Sequence, residues 1–296
     1  MTERRAPSLG ELISSGDRSF SFEFFPPKDA KGEEQLWRAI KELEPYRPTF
    51  VSVTYGAGGT TRDTTVAITG RIARETSLMP MAHLTCVGHT VPEIHRVLDE
   101  LRAAGVRNVL ALRGDPPGGP HTAWVPTEGG VDFASELVGI VREAADFCIG
   151  VAAFPEGHVD APSLDADVEV MLAKQAAGAE FAVTEMVLRA SDYFGLVERC
   201  RAAGVTIPIV PGIMPILSLR GMSKMVELSG RHMPEEVLAR IEPLADQPEE
   251  LRAEGIRIST ELCRDLLEGG APGLHFYTLN RSKATLEIFA QLQITV

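Results

Sequence analysis

Apolar residues recur along the chain in eight short runs, at 20–25, 50–55, 81–87, 108–113, 149–154, 180–186, 207–213 and 273–279, each closed by a turn signal. Runs of this length with such ends predict β-strands. The stretches between them, among them "EEQLWRAIKEL", "VPEIHRVLDELRAAG", "FASELVGIVREAADF" and "DADVEVMLAKQAAGA", carry the three-to-four-residue apolar spacing of amphipathic helices. Several end in Ala-Ala-Gly, a helix stop before a new strand. Eight strands alternating with helices predict an α/β fold, a single (β/α)8 TIM barrel. An open doubly wound sheet has the same alternation, but "GAGGTT" after the second strand does not complete the dinucleotide fingerprint. The interval 214–272 is long enough for two or three helices and has no Gly/Ser-rich linker. It is expected to be an enlarged helical crossover between strands 7 and 8. Residues 1–18 read as a helical or flexible N-terminal segment and 19–296 as the barrel domain.

Alternation within the strands sorts their side chains. Phe20, Phe22 and Phe24 share one face of the first strand and Ser21 and Glu23 the other; in the second, Val51, Val53 and Tyr55 oppose Ser52 and Thr54. The apolar faces suit a helix layer and the polar faces a lumen. Glu23 then has two readings, a strand residue facing water or an acid lining a cavity, because an unpaired carboxylate among phenylalanines is costly.

Composition narrows the classes. With 44% hydrophobic and 24% charged residues, the 296-residue chain has the balance of an ordinary globular protein. It contains no apolar run of membrane-spanning length, and its first twenty residues lack the apolar centre of a signal peptide, so a cytoplasmic location and no membrane partner are expected. The four cysteines are widely spaced, which argues against disulfides and a zinc site; no metal is expected. A formal charge of −12 argues against nucleic acid as a partner. Any anionic ligand needs its own local positive charge.

In a barrel, chemistry gathers at the C-terminal ends of the strands. Those ends supply Glu23, Thr54, His83, Arg113 with Asp115, Glu156 with His158, Glu185, the turn "VPGIMP", and Tyr277 with Asn280 and Arg281. Each has a plain structural reading: a lone His83 as a core histidine, Asp115 as a turn starter before "PPG". Their convergence on one rim is what favours a site.

"FSFEFFPPK", "FVSVTYGAGG", "AHLTC", "ALRGDPP", "VAAFPEGH", "PGIMP" and "HFYTLNR" follow one another from about residue 19 to 290. In this order they resemble the successive signatures of bacterial 5,10-methylenetetrahydrofolate reductases. The resemblance implies a flavoprotein oxidoreductase of one-carbon metabolism and methionine biosynthesis. NAD(P)H would reduce FAD, and 5,10-methylenetetrahydrofolate would then take the hydride to become 5-methyltetrahydrofolate. It also implies Glu23 as general acid, its carboxyl raised by the phenylalanines and by like charges at Glu185 and Asp115, and Asp115 as a charge beside the flavin and the iminium cation.

The same resemblance assigns cofactor contacts to Thr54, Tyr55, Ala57, His83, Arg113, Gly114, Asp115, Phe133, Ala134, Phe154, His158, Asp167 and Lys174. His158 and Lys174 would be the local positive charge for a pyrophosphate. Substrate contacts fall to Glu23, Asp115, Glu185, Tyr277 and Arg281, the last for a glutamate tail. The chain departs from the pattern in places. Glu185 stands where Gln is usual, Val170 and Ala173 where polar side chains usually sit, Phe154 often replaces Tyr, and Gly221 and Met225 stand for Gln and Phe. FAD is therefore expected to be held weakly. The alternatives are direct hydride transfer from NADH with little or no flavin, a folate-binding protein without turnover, and another one-carbon barrel enzyme such as a methyltransferase. The choice between NADH and NADPH, and the oligomeric state, are not legible in the sequence.

Overall fold

The computed structural model describes residues 7–56, 61–116 and 122–294. Its centre is a closed barrel of eight parallel strands in sequence order: β1 (Ser19–Phe24), β2 (Phe50–Val53), β3 (Pro80–Thr85), β4 (Asn108–Leu112), β5 (Cys148–Ala153), β6 (Phe181–Met186), β7 (Ile209–Ile213) and β8 (Gly273–Tyr277). Closure comes from β1 pairing with β8, Ser21 opposite His275 and Glu23 opposite Tyr277. All eight expected strands are present, with ends that shift by a residue or two.

Outside lie α2 (Ala30–Leu43), α3 (Arg62–Glu75), α4 (Val91–Ala103), α5 (Ala134–Ala144), α6 (Leu164–Ala177), α7 (Ala190–Ala202), α10 (Pro248–Glu268) and α11 (Lys283–Gln291). Helix α2 shows why the sequence folds this way locally. Asp29 caps it by accepting from the Gly32 N–H, and its stripe Leu36, Ala39, Ile40 and Leu43 is buried. That stripe belongs to one apolar cluster with Phe22 and Phe24 of β1 and Phe289 of α11. The phenylalanines on either side of Glu23 therefore face the helices, and Glu23 faces the lumen. Each fully buried Phe contributes about 1.5–3 kcal/mol, so this face of β1 fixes the direction of the acid.

The lower lumen is a second apolar cluster of Phe50, Met81, Leu110, Phe181, Val183 and Val210, closed underneath by Leu9 and Ile13 of the short helix α1 (Leu9–Ile13). The upper lumen is polar. Between β7 and β8, the expected crossover contains α8 (Leu219–Leu228) and α9 (Glu235–Ile241) ahead of α10. Met222, Val226, Val237 and Ile241 of α8 and α9 form a third cluster with Met186 at the top of β6, which folds the crossover back over the mouth. All four cysteines are buried and free. Among the described residues no helix is long and apolar enough to cross a membrane.

Candidate active site

Glu23 is 6% exposed and sits between two imidazoles. Its Oε2 lies 3.3 Å from His83 Nε2, in ion-pair range but out of line for a hydrogen bond, and 3.5 Å from His275 Nε2. The other nitrogen of His275, Nδ1, is 2.7 Å from Ser21 Oγ. When His275 donates from Nε2 to Glu23, its Nδ1 accepts from the Ser21 hydroxyl. His275 is fully buried, stacked on Phe50 at 5.5 Å and edge-on to Tyr277 at 5.4 Å, so its ring is fixed from two sides.

These neighbours overturn one expectation. Burial alone raises the Glu23 carboxyl, but the charge of His83 and the hydrogen bond from His275 outweigh it and hold the carboxyl down to about 2. The phenylalanines expected to keep it neutral point the other way. Glu185 is the carboxyl held up: burial raises it, the Met186 N–H (3.0 Å from Oε1) and Arg231 pull it down, and the charges of Glu23 and Asp115 push it up again.

The remaining expected site residues divide into three groups. Thr54 stands at the mouth with its carbonyl accepting from Thr65, and Asp115 is exposed at the end of β4, close enough for its charge to reach Glu185. Tyr277 spans the top of β7 and donates to the Thr184 carbonyl at 2.6 Å. Gly212 makes that possible, because a Cβ there would lie 2.6 Å from the Tyr277 hydroxyl. Arg281 is exposed and, with Leu217, Arg252, Tyr277 and Lys283, lines a cavity of about 120 Å³ beside β8.

A second group does not face the lumen. The side chain of Tyr55 turns into the outer core, its hydroxyl 3.2 Å from His89 Nε2. Phe133 is 63% exposed at the N-terminus of α5, where Ala134 is buried. Ala57 lies outside the described residues.

The third group should hold a cofactor, and its cations are already engaged. Lys174 is 5% exposed; its Nζ donates to the Ala152 carbonyl at 2.8 Å, and burial pushes its pKa down to about 8. Arg113 is paired with Asp160 at 2.9 Å and covered by the Trp124 ring at 4.9 Å. His158 accepts at Nδ1 from the Asp160 N–H, and its backbone N–H donates to Asp167. Burial, followed by the Arg113 charge, lowers the His158 pKa.

Phe154 meets His158 edge-on at 4.7 Å, and Val170 is 46% exposed on the same helix as Asp167 and Lys174. Gly114 alone has the shape of a cradle: at φ +83°, with a Cβ 2.5 Å from Val87, only glycine is tolerated. A dinucleotide pyrophosphate needs free cations, and a flavin ring edge needs polar partners. These residues do not fit a tightly held FAD: Lys174 is turned to the Ala152 carbonyl, Arg113 is paired with Asp160, and Val170 and Ala173 of α6 offer no polar partner.

Sequence reading did not single out His275, although the β1–β8 alternation carried the signal: it lies two residues before Tyr277 on the lumen face. Nor did it find Arg231. Among the described residues no group of three or more His, Cys, Asp or Glu is placed to hold a metal ion.

A closed barrel with a histidine-flanked acid at its C-terminal mouth has the architecture of a barrel enzyme that moves protons. The family model described as methylenetetrahydrofolate reductase matches residues 8–293, and the chain belongs to that family. It is 35% identical over 281 residues to the Escherichia coli 5,10-methylenetetrahydrofolate reductase, covering 95% of this chain and 92% of that protein. It is 38% identical over 295 residues to "Methylenetetrahydrofolate reductase (NADH) 1" of Arabidopsis thaliana, covering 96% of this chain but 50% of that one. The chain thus spans about half the length of its plant relatives. A Clostridium thermocellum protein described as binding two copies of 5-methyl-5,6,7,8-tetrahydrofolic acid superposes with a TM-score of 0.65 at 15% identity, over 95% of this chain and 96% of that one. At that identity the likeness concerns the fold.

Proposed function

We propose that the chain catalyses NAD(P)H-dependent reduction of 5,10-methylenetetrahydrofolate to 5-methyltetrahydrofolate, with hydride passing from the reduced nicotinamide directly to the folate. The observation that carries this reading is the lumen acid Glu23 hydrogen-bonded to His275, which is in turn held by Ser21. Family membership supplies the substrate class, and the engaged cofactor residues favour the direct route.

The reaction needs one proton and one hydride. The bond from the methylene carbon to N10 breaks with its electron pair going to N10, which takes a proton. The electron pair of N5 then forms the N5=CH2 iminium, and hydride from nicotinamide C4 closes it to the methyl group. Glu23 stands ionised in the open site. When folate covers the mouth, water leaves and the neutral carboxyl is favoured. A proton taken up by His275 then moves from Nε2 to Glu23 and on to N10, and the ring is left neutral with its Nδ1–H donating to Ser21 Oγ. Until hydride arrives, the negative charges of Asp115 and Glu185 stabilise the iminium cation.

Glu185 has a second part in this reading. The pterin 2-amino group and the neighbouring ring N–H form a two-donor edge, which a carboxylate meets with two acceptors. Glu185→Gln is expected to leave an active reductase and to change the Michaelis constant for folate more than that for NADH. Unchanged folate constants would place Glu185 outside the site.

Protein purified without added flavin is expected to oxidise NADH when methylenetetrahydrofolate is supplied and to show no visible flavin absorbance. Two or three lost polar contacts of about 1 kcal/mol each weaken FAD by roughly ten- to a hundred-fold or more. A yellow protein whose turnover vanishes when its flavin is stripped would overturn the direct route.

A further inference from the structure

Arg231 follows α8 in the enlarged crossover, its backbone N–H held by the Val226 carbonyl at 3.0 Å. Its side chain is only 5% exposed and turns back across the mouth, and Nη1 lies 3.4 Å from Glu156 Oε2 beyond the end of β5. Strands β5 and β6 are neighbours, Ala153 opposite Thr184, so Glu156 and Glu185 stand on adjacent strand ends. Asp192, in the first turn of α7, brings a third carboxylate with a buried Oδ2 that has no hydrogen-bond partner. A buried guanidinium among acids from three elements is costly to assemble, and removing it leaves buried carboxylates uncompensated.

The geometry points to Arg231 as a positioning residue for folate, anchored by Glu156 and standing as the counter-charge to Glu185 at the pterin edge. This rests on the reading of Glu185 given above. The anchor accounts for the pairing distance, and the shared rim for the second acid. Arg231's charge pulls the Glu185 carboxyl down against burial, and it likewise opposes burial at Glu156, where Asp192 acts in the other direction. The apolar cluster of Met186, Met222 and Val226 seats α8 against β6 and so fixes the root of the arginine. Guanidinium N–H groups suit this task because they bind one carboxylate while presenting charge to another.

The test is a double-mutant cycle on Arg231→Met and Glu185→Gln, with the Michaelis constants for methylenetetrahydrofolate and NADH measured separately. Arg231→Met alone is expected to raise the folate constant about tenfold and the NADH constant by less than about twofold. In the Glu185→Gln background the same change is expected to alter the folate constant by less than about twofold, because a neutral amide needs no counter-charge. Arg231→Lys, which keeps the charge, is expected to recover most of the folate affinity. Arg231→Gln, with N–H groups for Glu156 but no charge, replaces the methionine variant if that one does not accumulate, with the same expectation. Equal effects in both backgrounds would overturn the role of Arg231, since a purely structural arginine acts regardless of residue 185. A Glu185→Gln single variant with unaltered folate kinetics would instead overturn the reading of Glu185 itself.

Discussion

Glu23→Gln is expected to lower methylenetetrahydrofolate reduction by about 10²- to 10⁴-fold, the usual contribution of a general acid, while NADH binding stays within a few-fold of the parent. The amide keeps the shape of the side chain and can still accept from His275, but it cannot pass a proton to N10. The variant also removes a negative charge from between two histidines, so the loss should appear in kcat and in kcat/KM together. Steady-state rates with each substrate varied, together with NADH binding by fluorescence, make the check. Turnover within a few-fold of the parent would remove Glu23 from the chemistry.

The second large effect is expected at His275. Replacing it by Leu leaves Glu23 in a buried site with only the poorly aligned His83, and losing one partner of a buried pair typically costs about 3–5 kcal/mol. The sign of the pH dependence follows from the shift. Glu23 titrates near 2 in the folded chain against 4.5 when unfolded. Between those values the unfolded chain binds more protons, so the pair stabilises the fold above pH 4.5 and that stability is lost as pH falls toward 2. Without His275, burial is opposed by His83 alone, the folded pKa moves up, and the acid-sensitive window narrows. Urea midpoints at pH 7 and pH 4 should therefore lie closer together in His275→Leu than in the parent. His275→Gln, which can still donate to Glu23, should keep most of the stability and lose most of the activity, because an amide cannot relay a proton. A Gln variant of full activity would leave the imidazole a packing role only.

The barrel was legible because strand alternation is a strong physical signal: Phe22 and Phe24 had to meet α2, which left Ser21 and Glu23 to the lumen. The same rule holds for His275, which the sequence reading did not single out. The protonation state was not legible, since it depends on which side chains cross the barrel from β3 and β8 to meet Glu23. The direction of Lys174 was equally hidden: the sequence supplies a charge on α6, but its turn toward the Ala152 carbonyl is a tertiary matter. Arg231 escaped notice because the fold-back of its crossover is set by Met186 meeting Met222 and Val226, which lie about 40 positions further along the chain.

The central claim is that hydride travels from nicotinamide to folate under proton control by Glu23. Single turnover with NADH deuterated at the transferring C4 position, in the absence of added flavin, tests it most directly. The account predicts 5-methyltetrahydrofolate carrying one deuterium in its methyl group with no washout into water, and no product from Glu23→Gln on the same timescale. Product whose methyl group has lost the label to solvent, or label transfer undiminished in Glu23→Gln, would contradict it.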